Sequence, residues 1–317
     1  MTFTIDGQFV WDFWTAHDEA RDLHHLFHLY APMSLGDPEL RHRNARVGHA
    51  VSADLENWTR LPDPLPERSP ATSAFDDLAS WTGCTVRGDG VWWMFTTGLS
   101  RADDGRVQRI GAATSADLTT WTRTGLVLES APEHYQPSNE SWVEEAWRDP
   151  WVLRGEDGRW HMYVTARDAG GAPGCGVVGH AVSDDLSSWE VLPPLSSPTG
   201  IFEWLEVISV VRVEGRWVLL FSCLSTEMPG APPGAGGVWS VPVDGPGSPV
   251  DVSAAVRVTD ESLYVGKVVH HRAAAYFMAF RNRGPDGTFV GGVTDPVRVN
   301  WRPDGRGLVL VSAPGEP

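Results

Sequence analysis

One segment of eleven residues occurs three times with its spacing intact, and this repeat restricts the possible architectures more than any other feature of the chain. Gly48-His-Ala-Val-Ser-Ala-Asp-Leu-Glu-Asn-Trp58 returns as Gly111-Ala-Ala-Thr-Ser-Ala-Asp-Leu-Thr-Thr-Trp121 and as Gly179-His-Ala-Val-Ser-Asp-Asp-Leu-Ser-Ser-Trp189. The offsets are 63 (111 − 48) and 68 (179 − 111) residues. A weaker copy running from Gly291 to Trp301 keeps the Gly-to-Trp spacing. Upstream of each copy lies an aromatic-rich apolar run, centred on Phe27, Phe95, Tyr163 and Phe277, with a fifth at Phe221. Between these runs each unit reads strand, Gly-rich turn, strand, turn, short strand. The Ser-x-Asp-Leu pieces are predicted to be polar turns whose side chains bond nearby amides, and the Trp that follows is expected between neighbouring units. Helical periodicity is weak and confined to Ala131–Glu145.

Five units of this length predict an all-β fold, a five-bladed β-propeller with four antiparallel strands per blade. Blades bury their faces only against one another, so residues 1–317 are expected to form a single domain. No apolar run approaches the roughly 20 residues that span a bilayer. The first residues lack the basic and apolar parts of a secretory signal. Three cysteines, Cys84, Cys175 and Cys223, without metal-type spacing point to reduced thiols and a cytoplasmic protein. A net charge of −16 argues against nucleic acid or anionic membranes as partners. It is compatible with a neutral sugar.

Carboxylates fall on this repeat in register. Asp12 precedes Phe27 by 15 residues (27 − 12), Asp149 precedes Tyr163 by 14 (163 − 149) and Glu206 precedes Phe221 by 15 (221 − 206). In a closed radial array, equivalent positions near the axis face one another. Converging carboxylates are what glycoside cleavage requires. Asp12 stands between Trp11 and Phe13, where an ionised group is costly unless paired or functional. A turn cap at Asp12 and a plain ion pair between Arg148 and Asp149 are the structural alternatives. Glu203 competes with Glu206, but its offset of 18 (221 − 203) does not match. Glu144 and Glu145 read as a solvated acidic pair. Counting back fifteen residues from Phe95 and Phe277 gives Ser80 and Ser262, near Trp81-Thr82 and Tyr264, so those two blades should supply hydroxyls and aromatic walls. Trp11, Trp14, Trp81 and Trp204 are the candidates for stacking on sugar. The apolar setting of Glu206 in Leu205-Glu-Val-Ile208 would lift its pKa and suit a proton donor. Asp12 would then be nucleophile or base, with Asp149 and Arg148 holding ring hydroxyls.

These residues resemble the five-bladed propeller glycoside hydrolases, nearest to family 32 (invertases, levanases and other β-fructofuranosidases) and more distantly family 43. Arg148-Asp149-Pro150, the repeated segment and one acid in each of the first, third and fourth blades carry the likeness. It implies a retaining β-fructofuranosidase-like hydrolase with Asp12 as nucleophile, Asp149 as transition-state stabiliser and Glu206 as acid/base. Substrate contacts are expected from Trp11, Trp14, Trp81, Thr82, Arg148, Trp204 and Tyr264, and no cofactor or metal is called for. The family's Asn-Asp-Pro-Asn-Gly is replaced here by Trp11-Asp-Phe-Trp-Thr15, its first-blade glutamine by Leu29, its Glu-Cys by Glu206-Val207 and its aromatic-Ser-Gly by Trp81-Thr82-Gly83. The catalytic skeleton is thus kept while the sugar pocket is rewritten, and the family's C-terminal β-sandwich has no counterpart in the sequence. An inverting arabinofuranosidase or xylosidase like those of family 43, and a carbohydrate-binding propeller without catalysis, are the alternative readings. His24, His25, His28, His49 and His180 are read as structural.

Overall fold

The computed structural model describes residues 2–65, 74–140 and 142–311. Its strands form five four-stranded antiparallel sheets, each made of consecutive strands. Blade 1 holds β1 (Gln8–Asp18), β2 (Leu23–Pro32), β3 (Arg46–Ser52) and β4 (Thr59–Leu61). Blade 2 holds β5 (Ala79–Gly88), β6 (Val91–Leu99), β7 (Gln108–Ser115) and β8 (Trp121–Leu128). Blade 3 holds β9 (Trp147–Arg154), β10 (Trp160–Arg167), β11 (Gly176–Ser183) and β12 (Glu190–Leu192). Blade 4 holds β13 (Glu206–Val213), β14 (Arg216–Cys223), β15 (Gly237–Val243) and β16 (Val256–Thr259). Blade 5 holds β17 (Leu263–His271), β18 (Ala274–Arg281), β19 (Val297–Trp301) and β20 (Leu308–Leu310). The first strand of each blade packs on the first strands of its neighbours, so β1, β5, β9, β13 and β17 ring the axis. This is the five-bladed propeller expected from the repeat.

The repeated segment earns its recurrence at the turn and at the blade interface. Ser52, Ser115 and Ser183 accept the amide of the Asp two residues on, at 3.1, 3.2 and 3.1 Å. Oδ1 of Asp54, Asp117 and Asp185 accepts the amides two and three residues on at 2.7 to 2.9 Å. These bonds hold Leu55, Leu118 and Leu186 in the left-handed region at φ 67°, 64° and 67°. Each leucine carbonyl receives the indole N–H of the following Trp at 3.0 Å. The indoles then reach into the preceding blade: Trp121 meets Phe27 edge-on at 5.9 Å, and Trp189 meets Phe95 at 5.5 Å.

Two details differ from the sequence reading. The weak copy at Gly291 is out of register, because Val297 and not Gly292 lies opposite Phe277, as His49 lies opposite Phe27. Here the third strand of blade 5 is broken, with Val293 making an isolated bridge to Phe280. That break admits the N-terminal segment: Phe3 and Val293 exchange backbone bonds of 2.8 and 3.0 Å, and Gly292 donates to Val10 at 2.7 Å. Gly292, at φ 91°, has no room for a Cβ, which would lie 2.8 Å from the side chains of Thr2 and Thr4. Second, Ala131–Glu145 contains no helix among its described residues, only turns, bends and one bridge. Cys84, Cys175 and Cys223 are all buried and unpaired. No helix among the described residues is long and apolar enough to cross a membrane.

Candidate active site

All five axial strands break register at corresponding places. The breaks fall between Trp11 and Phe13, between Ser80 and Gly83, opposite Tyr163–Thr165 (at Asp149-Pro150), between Glu206 and Ser209, and between Tyr264 and Lys267. A β-bulge turns a side chain out of the regular alternation, and here five of them re-aim side chains about one axis. In three blades the bulge includes a non-glycine residue at positive φ: Asp149 at 59°, Val207 at 51° and Val265 at 53°. Their amides are caught by hydroxyls of the preceding blade. Thr97 accepts from Asp149 at 2.8 Å, Thr165 from Val207 at 3.1 Å and Ser222 from Val265 at 3.0 Å. Blades 2, 3 and 4 therefore each fix the bulge of the next.

Asp12, Asp149 and Glu206 line one cavity of about 710 Å³, within the usual range for small-molecule sites. Thr82 Oγ1 donates to Asp12 Oδ2. Thr165 Oγ1 lies 3.1 Å from Asp149 Oδ2, and Arg148 Nε lies 3.5 Å from the same oxygen. Arg148 donates through Nη2 to Glu206 Oε1, while the Tyr264 hydroxyl donates to Glu206 Oε2 at 2.6 Å. Burial lifts the Asp12 carboxyl to about 6, opposed by the Thr82 bond and assisted by the charge of Glu206. Burial lifts Asp149 to about 7, opposed by Arg148 and assisted by Asp12 and Glu206. The cause is shared: a dry site disfavours the charged form, and acids held close together there resist ionising together. The apolar run around Glu206 does not enclose its carboxylate. Leu205, Val207 and Ile208 are buried in the core, while the Glu206 side chain is 20% exposed and meets Arg148 and Tyr264.

Of the expected substrate contacts, Trp11, Trp81, Thr82, Arg148, Trp204 and Tyr264 line the cavity. Trp14 does not. It is fully buried, stacks on Phe27 at 5.7 Å and donates its indole N–H to Thr85 at 3.0 Å. Beyond the bulge the alternation resumes, and it turns Trp14 into the interface with blade 2. Trp204 is also less open than a sugar platform needs, since the guanidinium carbons of Arg167 and Arg148 lie 4.3 and 4.6 Å from its ring centroids. Thr82, not Ser80, is the blade-2 partner of the acids: Phe95 lies opposite Cys84, closer along the chain than Trp14 is to Phe27, so the count of fifteen overshoots the bulge at Trp81-Thr82. Ser262 fails likewise: its hydroxyl bonds Asp260 at 2.5 Å, and Tyr264 takes the site position. Nor are Glu144 and Glu145 a solvated pair, for Glu144 lines the cavity and Glu145 is buried, accepting from Ser130. Glu203 is absent from the cavity wall, whereas Glu206 lines it.

The cavity wall above the bulges comes from segments with no repeat pattern. Glu39, Arg41, His42 and Arg43 follow β2, Asp104 and Arg106 follow β6, Glu227 follows β14, and Asn282, Arg283 and Phe289 follow β18. The Arg41 guanidinium lies 4.1 Å from the Phe289 ring centroid and 5.6 Å from that of Trp11. Trp81 donates its indole N–H to the His42 carbonyl at 2.6 Å. Glu227 adds a fourth acid near Glu206; burial and the charge of Glu206 raise its pKa. Among the described residues, no three His, Cys, Asp or Glu side chains are grouped to hold a metal ion.

Comparison with known proteins agrees with the five-bladed fold. Residues 19–230 match the model of the glycosyl hydrolases family 32 N-terminal domain. Sucrose-6-phosphate hydrolases from two strains of Zymomonas mobilis subsp. mobilis are 32% identical over 212 residues, which is 63% of this chain and 38% of theirs. The chain thus spans well under half the length of these relatives. Among solved structures, an inulosucrase from Halalkalicoccus jeotgali bound to kestose superposes with a TM-score of 0.76 at 22% identity, covering 99% of this chain and 90% of that one. Bacillus subtilis levansucrase gives 0.73 at 14% identity, covering 98% and 88%. The β-fructofuranosidase catalytic domain of Microbacterium saccharophilum K-1 gives 0.72 at 18% identity, covering 98% and 82%. At such identities the structural likeness is one of fold. The family match includes Asp149 and Glu206 but begins after Asp12.

Proposed function

Since this chain belongs to glycosyl hydrolases family 32, we propose that it cleaves a small fructofuranoside with retention at the anomeric carbon. The observation that carries this reading is the convergence of Asp12, Asp149 and Glu206 on one cavity from matched bulges of three blades. Asp12 attacks the anomeric carbon as Glu206, protonated, gives its proton to the leaving oxygen. The resulting glycosyl ester on Asp12 is hydrolysed by water that Glu206 deprotonates. Asp149 accepts bonds from ring hydroxyls and stabilises the positive charge developing on the sugar. Arg148, held against Glu206 and Asp149, fixes their spacing. The nucleophile must be ionised, and the Asp12 carboxyl at about 6 therefore sets an acidic limb of kcat/KM near that pH, activity falling below it. We further take residues 1–317 as one catalytic unit and place it in the cytoplasm, a reading supported by the three buried, unpaired thiols.

The cavity wall bears both carboxylates and guanidinium groups, so a substrate panel should hold sucrose, sucrose-6-phosphate, short fructans and nitrophenyl arabinofuranosides. Turnover of at least one is expected, with Asp12→Ala and Glu206→Ala each losing it while remaining folded. NMR of the first-formed anomer reports the stereochemistry. Inversion would reassign Asp12 as the base that activates water. Binding without turnover across the panel would leave a sugar-binding propeller instead.

A further inference from the structure

The sequence contains a single lysine, Lys267; every other cationic side chain in it, histidine aside, is arginine. That lysine lies on the axial strand β17, at the edge of its bulge, and is 3% exposed. Its Nζ is 3.2 Å from the Val207 carbonyl oxygen and 3.5 Å from that of Ile208. Those two residues form the β13 bulge that immediately follows Glu206. The same Nζ lies 4.7 Å from the ring centroid of Trp151, two residues beyond Asp149. It takes no place in the cavity wall, so it is beneath the site and not in contact with a bound sugar.

Charged and titratable groups face it from every neighbouring axial strand. Asp12 does so from β1, the Cys84 thiol from β5 and Asp149 from β9, while β13 offers two carbonyl oxygens and carries Glu206. Enclosing an ammonium costs several kcal/mol unless its partners compensate, so a purely structural filler here would be leucine or methionine. An ammonium is a compact point charge with three donors, whereas a guanidinium is a wide planar fork. In a chain that uses arginine everywhere else, the exception marks a space where the smaller cation is needed.

We propose that Lys267 is a positioning residue of the active site, its ammonium pinning the bulge that presents Glu206 and supplying the positive charge beneath Asp12 and Asp149. The kinetic part of this proposal rests on the glycosidase reading; the charge arrangement does not. Burial lowers the Lys267 pKa to about 8 against the opposing pull of Asp149, Cys84 and Asp12, and the group is still cationic at neutral pH.

Because there is one lysine, protein labelled with lysine carrying 13C at Cε and 15N at Nζ gives one side-chain signal. That signal is expected to titrate near 8 and not near the ordinary value of about 10.4. In Asp149→Asn, where an attracting charge is lost, it should titrate about one unit lower still. An ordinary titration, or one that ignores Asp149→Asn, would overturn the charge arrangement. In kinetics, Lys267→Met is expected to lose kcat by about tenfold or more, with its acidic limb moved about one unit upward. Lys267→Arg, which keeps the charge but not the compact fit, should hold the limb nearer to wild type than Lys267→Met does while still losing kcat. A Lys267→Met enzyme that merely melts earlier, with kcat and the pH limb unmoved, would reduce the residue to packing and sink the proposal. Should Lys267→Met fail to fold, the labelled wild-type protein decides. If the wild type turns over no furanoside, the glycosidase reading fails by itself and the NMR titration still judges Lys267.

Discussion

Asp149 shows at one residue how activity and stability pull apart. Its backbone sits in the left-handed region, and its carboxyl, lifted by burial to about 7, is ionised at pH 8 at a cost to the fold. A folded-state pKa above the unfolded value of about 3.9 means that this contribution is fully favourable below pH 4 and is lost as pH rises through 7. Asp149→Asn should therefore melt at a higher temperature than wild type at pH 8, by about 1–3 kcal/mol of stability, with the gain fading towards pH 4. Turnover should fall by orders of magnitude. Thermal melts at both pH values check the sign, and equal midpoints at pH 8 would contradict it. The three acids were legible in the sequence because their bulges fall at matched distances from the aromatic of the next strand. Ser80 and Ser262 were misread because the register of the aromatic varies between blades, Phe95 lying opposite Cys84 and Phe277 opposite Val268 where Phe27 lies opposite Trp14, and no residue announces that change. Trp14 was misread because a bulge reverses the alternation that would have sorted it.

At the scale of the element, the decisive device is a hydroxyl on one blade holding the bulge of the next. Thr165 is the clearest instance, fully buried, accepting the Val207 amide and touching Asp149. Thr165→Val keeps the shape and strands that amide, a loss of about 1–3 kcal/mol for a buried unsatisfied donor. We expect urea melts to show it, together with a kcat loss larger than any change in KM, and Thr165→Ser to restore both. A Thr165→Val enzyme with unchanged kcat would mean that the bulge needs no such anchor. The strands and polar turns of blades 1 to 3 could be read in advance because Ser, Asp, Leu and Trp each have a fixed local task there. The segments after β2, β6, β14 and β18 could not, since they form the cavity wall by long-range contact and follow no period. Arg41, Glu227 and Phe289 were missed for that reason. Lys267 was open to notice by its rarity, but rarity alone says nothing about which blades it joins.

For the whole molecule, the buried histidines govern behaviour in acid. His25 and His49 share a 2.9 Å bond in blade 1, and His161 and His180 share one of 3.0 Å at the equivalent place in blade 3. Burial pushes His24, His25, His28 and His180 down to about 4, and His49 to about 3. The unfolded chain gains protons on these rings below about pH 6.5 while the fold refuses them, so stability is full above that pH and drains as pH falls towards 4. The raised carboxylates Asp12, Asp149, Glu145 and Glu227 oppose the trend, but the histidines outnumber them. The melting temperature should drop steadily between pH 6.5 and 4.5, and a flat profile would show that the rings accept protons in place. The axial placement of Lys267 has one more consequence. Reducing sugars condense with primary amines, and the lone side-chain amine of this sequence is enclosed beneath the cavity. Its remaining basic side chains are guanidinium, protonated far above neutral pH, or imidazole. A reducing sugar that meets this chain thus finds no exposed lysine on it, and its side chains are shielded from glycation by composition as much as by shape.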